Sequence, residues 1–215
     1  MKRMRNLLML TLCMTMVGLS MTSCLSDDDN KNTIKTLSPA EKSAMMANMA
    51  GLYNGHLFFV NDSARVDSVE VSCSVSAPDS VFTVYDFPYE ILSCGVSTES
   101  VRNVLSIAGD GIFRDVLHFY VNNVDLQDYY TFWAIPNSEN ELQKTFTDSD
   151  EKQHSIKVKF SNQVTNFTPY GMTAVYYPIG EYSANKIVVY ILLGEVEVDG
   201  ITTTLNRVIQ FYGNK

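Results

Sequence analysis

The residues able to do chemistry fall into four groups: three histidines, four cysteines, a few clustered carboxylates and a set of neighbouring aromatics. His56, His118 and His154 stand far apart, with no His-x-His, no His-Glu-x-x-His and no cysteine pair at ligand spacing, so they read as structural histidines. The pattern calls for no metal and no cofactor. No Gly-x-Ser-x-Gly elbow and no phosphate-cradling glycine loop occurs. Asp125 with Asp128, and Asp148 with Asp150 and Glu151, fall in polar connections where carboxylates are ordinarily solvated. A glycosidase needs two carboxylates set across a sugar, and spacing along the chain does not define that distance, so no catalytic residue is assigned. The aromatics offer more. Tyr129, Tyr130, Phe132 and Trp133, with Tyr176 and Tyr177, sit in strand-like stretches. Alternate strand positions point to opposite faces, so one ring of each neighbouring pair fills a core and the other lies outside. There it is either plain surface or a platform for a sugar, a protein or an apolar ligand.

Of the cysteines, Cys24 is placed for chemistry by what precedes it. Residues 7–21 (LLMLTLCMTMVGLSM) carry no charge, and Lys2, Arg3 and Arg5 lie only on their N-terminal side, which is the layout of a secretory signal. Fifteen residues are fewer than the roughly 20 a helix needs to span hydrocarbon. Met21-Thr22-Ser23-Cys24 resembles the lipobox of bacterial lipoproteins, with Met where Leu is commoner. That resemblance implies a diacylglyceryl thioether on Cys24, cleavage just before it and acylation of the new amine. Each buried CH₂ contributes roughly 0.8 kcal/mol, so two or three chains anchor firmly. The following Ser26, Asp27, Asp28 and Asp29 resemble the tag that carries Bacteroidetes lipoproteins to the outer face of the outer membrane. The alternative is a solvated acidic tether, which would leave the protein facing the periplasm. The expected organisation is a signal at residues 1–23, a tether at 24–37 and a single β-rich domain at 38–215.

The chain has 215 residues with 16 basic and 24 acidic side chains. Losing Lys2, Arg3 and Arg5 with the signal leaves 13 basic against 24 acidic, a net charge near −11. Such a surface repels phosphate backbones, which excludes nucleic acid as a partner. Cys13 leaves with the signal, so Cys73 and Cys94 alone could form a disulfide. Cys73 shares the apolar face of a strand with Val69, Val71 and Val75, where a buried free thiol is the competing reading.

Ser38-Pro39-Ala40-Glu41 spells an N-cap, a proline at the first helical position and a capping-box glutamate, opening a helix that Gly51 stops. Strands are expected at residues 53–60, 66–76 and 80–87. Ser97-Thr98-Glu99 opens a second helix with Val101, Val104, Leu105 and Ala108 on one side. Beyond Asp110-Gly111 the β pattern returns at residues 116–121, 129–135, 155–164 and 172–177, and residues 136–153 read as an exposed loop or hairpin tip. Asp199-Gly200 marks a type I′ hairpin in which Val198 opposes Ile201 and Glu197 opposes Thr202. The fold class is therefore α+β, mainly antiparallel β, a sandwich or barrel-like meander of about nine strands with two short helices.

A helix, then Met49-Ala50-Gly51-Leu52-Tyr53-Asn54-Gly55, then a meander ending in Asp86-Phe87-Pro88 and a short helix, is similar to an uncharacterised family of Bacteroidetes lipoproteins known as domain of unknown function 4840. The resemblance implies an envelope protein and carries over no catalytic residue. Gly51-Leu52-Tyr53 also resembles the start of lipocalin-like barrels. The expected role is a non-enzymatic binding or accessory module for a glycan or protein. A small hydrolase and a barrel holding an apolar ligand stand as alternatives.

Overall fold

The computed structural model describes residues 37–119, 129–136, 142–167 and 173–215. Cys24, Ser26, Asp27, Asp28, Asp29, Asp125 and Asp128 lie outside them. Helix α1 (Pro39–Met49) begins with the expected capping box: Ser38 Oγ accepts from the Glu41 amide and the Glu41 carboxylate accepts from the Ser38 amide at 2.8 Å. Its Met46 and Met49 are buried.

Strands β1 (Gly51–Val60), β2 (Val66–Ser76) and β3 (Val81–Pro88) form the predicted meander. A single helical turn, α2 (Glu90–Ser93), and α3 (Glu99–Ile107) lead to β4 (Asp110–Phe119) and β5 (Tyr129–Pro136). Then come β6 (Leu142–Thr147), β7 (Gln153–Phe160), β8 (Val164–Phe167), β9 (Thr173–Tyr176), β10 (Ile179–Ser183), β11 (Lys186–Val198) and β12 (Ile201–Asn214). Among the described residues there are thus twelve strands and three helices, against about nine and two expected.

The choice between sandwich and barrel is decided by one pairing. The sheet runs β10-β5-β4-β3-β2-β1-β12-β11, and β10 also pairs with β11 through Gly180↔Val189 to Ser183↔Lys186. Eight antiparallel strands therefore close into a ring. They follow one another around it in chain order except that β6–β9 are inserted between β5 and β10. β7 and β6 extend the sheet from the far half of β11, where Val198 pairs with Ile156; β8 and β9 pair separately.

An eight-stranded ring is just wide enough for its own side chains to fill or for one small ligand to occupy. Here Tyr53, Leu57, Phe82, Val84, Phe132 and Phe211 are 0% exposed. Phe82 packs on Phe211 at 5.5 Å between ring centroids, and Phe113 on Phe87 at 5.8 Å. The outside alternates with this: on β2, Val71, Cys73 and Val75 are buried while Ser68, Glu70 and Ser72 are exposed. Apolar-in, polar-out is the reverse of a membrane barrel. Both ends are covered. α1 leads into β1 at one end, and α2 and α3, between β3 and β4 at the other, bury Ile91, Leu92, Val101, Val104 and Leu105 in the same core.

Two expectations are corrected and one strand is added. β4 starts at Asp110, six residues before the expected strand. Gly111 is glycine because the Tyr89 ring lies on it, a Cβ there meeting Tyr89 Cε2 at 2.6 Å, so it marks close packing inside a strand. Residues 136–153 contain an edge strand, β6, as well as a hairpin tip. The segment after Tyr177 returns as β10, the strand that closes the ring.

Candidate functional site

β5 sorts the predicted aromatics by strand parity. Phe132 and Ala134 are buried, and Tyr130, of the same parity, packs against the core. Tyr129, Thr131, Trp133 and Ile135 belong to the other face. Trp133 is half-buried, opposite His118 on β4 and Ile179 on β10. The Tyr177 ring meets it edge-on, with centroids 5.9 Å apart and planes at 80°. Tyr177, Val175 and Ile135 are 38%, 39% and 36% exposed. The result is an aromatic ledge on the outer wall, Trp133 on β5 against Tyr177 just before β10. Tyr176 is half-buried on β9 opposite Val164.

Tyr130 has a different task from the one considered for it. Its ring stacks on Tyr182 at 5.5 Å and 9°, and its hydroxyl accepts from Asn48 Nδ2 at 2.8 Å. Tyr182 Oη donates to the Asn48 carbonyl at 3.2 Å, and Lys215 Nζ donates to the same oxygen at 2.6 Å. The Lys215 ammonium also lies 5.5 Å from the Tyr53 ring centre and 5.7 Å from that of Tyr182. Tyr53 Oη donates to the Met49 carbonyl. The end of α1, which would otherwise expose unpaired carbonyls, is therefore tied to β1, β10 and the C-terminus. Burial holds the Lys215 amine below and the Tyr53 hydroxyl above their ordinary values. Tyr130 is thus engaged in holding the end of α1 against the barrel.

Among the histidines, His154 is the one held by carboxylates. It is 3% exposed, with Nδ1 at 2.7 Å from Asp199 Oδ2 and Nε2 at 3.0 Å from Asp148 Oδ2. Both ring nitrogens can donate only in the imidazolium, so the Asp199 and Asp148 bonds raise the pKa of His154. Asp148 is lowered, by the His154 bond first and then by the Lys152 and Asp150 amides. At Asp199 burial pushes up, but the Ser155 amide and His154 outweigh it and the net shift is down. An imidazolium with both N–H groups donating to carboxylates has no free nitrogen to act as a general base, so this triad is a clasp joining the β6–β7 tip to the β11–β12 turn. The sequence alone reads Asp148 as a solvated loop acid. The only signal was its place six residues before His154 at a hairpin tip, and Asp199 is 45 residues away.

Asp115 is the anomaly of the interior. It is 1% exposed between Phe113 and Leu117 on β4, and its Oδ1 has no hydrogen-bond partner among the described residues. Burial raises its pKa well above the ordinary carboxylate value. Cys73 and Cys94 are free thiols, the first buried and the second half-buried, so the disulfide alternative is replaced by the free-thiol one. Burial raises both. Among the described residues no cluster of three or more His, Cys, Asp or Glu side chains is arranged to hold a metal ion, and no helix is long and apolar enough to cross a membrane.

The fold and its outer ledge define an antiparallel, up-and-down β-barrel protein with an inserted four-strand arm between its fifth and sixth barrel strands. The chain belongs to the family described as Domain of unknown function (DUF4840), whose model matches residues 48–198. No curated protein and no solved structure matches it.

Proposed function

We propose that this protein is a lipid-anchored outer-membrane lipoprotein displayed at the cell surface, where it acts as a non-enzymatic binding module for a glycan or protein ligand. The supporting observation is the Trp133–Tyr177 pair on the outer wall of a barrel whose inner positions are taken by large side chains. Each buried Phe contributes about 1.5–3 kcal/mol by leaving water, so a ligand that entered would have to displace several such contributions. A ring already held on the outside needs no displacement. This favours the ledge over a lipocalin-like carrier. The hydrolase reading is weakened because the two acids that converge, Asp148 and Asp199, are both committed to His154.

The signal, Cys24 and the acidic Ser26–Asp29 run support the anchor and its direction. The test of the ledge is a glycan and envelope-protein panel probed with the full chain and with Trp133→Ala and Tyr177→Ala. Aromatic platforms contribute about 0.5–1.5 kcal/mol per ring pair beyond area, so the variants should lose several-fold to tenfold in affinity with unchanged circular dichroism. Undiminished binding by both variants would contradict the ledge.

A further inference from the structure

A recess of about 390 Å³ opens between α1, the β2–β3 turn and the last residues of β4. That lies within the size range of small-molecule sites, about 300–1,000 Å³. Its floor is apolar: Met46 from α1, with Leu117 and Phe119 from β4. Its rim carries Lys42 and Ser43 from α1, Ser80 from the turn and His118 from β4. The parts are fixed in place. Met46 and Leu117 are buried in the core, Phe119 packs edge-on to Phe132 at 6.1 Å, and the Leu117 amide donates to the Ser80 carbonyl at 2.7 Å, tying β4 to the turn.

Among the described residues, the charge at this recess runs against that of the molecule: the chain has a formal net charge of −8, and none of the described lining residues is acidic. The nearby Asp79 accepts a hydrogen bond from Ser76 Oγ at 3.0 Å within its own turn. The side chains of Lys42 and His118 have no ion-pair or hydrogen-bond partner among the described residues. An ammonium with two neighbouring hydroxyls, Ser43 and Ser80, above an apolar floor is complementary to a negative head on an apolar body. A phosphate would call for an arginine fork or converging backbone amides; a single lysine with hydroxyls suits one carboxylate.

We propose that this recess binds a small amphipathic carboxylate, its head at Lys42 and its chain or ring against Met46, Leu117 and Phe119. The site is separate from the ledge, although His118 and Trp133 are cross-strand neighbours, and it does not depend on the ledge having a ligand. The full chain is titrated with hexanoate and, as the uncharged match, hexanol, by ligand-observed NMR. Hexanoate should bind at least fivefold more tightly than hexanol. Lys42→Glu should remove that preference, and Ser43→Trp, which fills the mouth from an exposed helical position, should weaken hexanoate at least tenfold. Trp133→Ala should leave hexanoate binding within twofold, which separates failure of this site from failure of the ledge. Equal affinity for the two probes, or hexanoate binding unchanged in Lys42→Glu and Ser43→Trp, overturns the proposal.

Discussion

At the scale of single residues, the titrating groups make the same demand on pH from different sides. His154 has its pKa raised by Asp199 and Asp148, so the stability it contributes is complete below its unfolded value of about 6.5 and is lost as pH rises through the raised folded value. Asp115 is also raised, by burial; once the unfolded carboxyl ionises, above about pH 4, every further rise favours the unfolded chain until the folded group ionises too. Asp148 and Asp199 are lowered, so what they contribute disappears only as pH falls below the ordinary carboxylate range. Thermal melts should therefore give a higher Tm at pH 5 than at pH 8. Asp115→Leu should raise Tm at pH 8 more than at pH 5, since it removes an unsatisfied buried group whose cost is about 1–3 kcal/mol. His154→Gln should flatten the remaining slope. A Tm that climbs from pH 5 to pH 8 would contradict both assignments. Little of this was readable in the chain, because Asp115 looks like any acid in an alternating strand until β4 is known to face inward at that position. The clasp depends on a register between β7 and β11 that no local pattern specifies.

Whole elements were easier to read where the local chemistry is self-contained. The α1 capping box needs only Ser38 and Glu41, and the β11–β12 turn needs only Asp199-Gly200, whose φ values of +51° and +81° are those a type I′ turn requires. Val198↔Ile201 and Glu197↔Thr202 pair as expected. The elements without a local signal are set by distant partners. β6 is an edge strand whose outward positions are polar, and β10 is a five-residue strand defined by its neighbours on both sides. The start of β4 is hidden behind a glycine that looks like a turn. The cap also makes a prediction. Because α1 is fastened at its far end by Asn48 to Tyr130, Tyr182 and Lys215, loosening its first turn should be felt by the whole barrel. Ser38→Ala should cost about 0.5–2 kcal/mol, or roughly 2–4 °C of Tm per kcal/mol in a domain of this size. A loss of helix signal with no change in Tm would mean that α1 is not part of the cooperative unit.

On the scale of the whole molecule, a ring of eight strands filled with Phe, Val and Leu and covered at both ends makes a rigid body that presents chemistry on its exterior. The ledge of Trp133 and Tyr177 and the recess under α1 are both outward features. The proposed anchor at Cys24 followed by an acidic stretch would hold that outer wall in contact with the medium. Mainly antiparallel β was legible from alternation. Closure was not, since it rests on the β10–β11 pairing alone. The most direct test of the account is intact mass spectrometry of the mature protein recovered from membranes. A chain beginning at Cys24 and heavier than its sequence by a diacylglyceryl group and an amide-linked acyl chain is expected; a mature N-terminus at Cys24 or elsewhere bearing no lipid would contradict it.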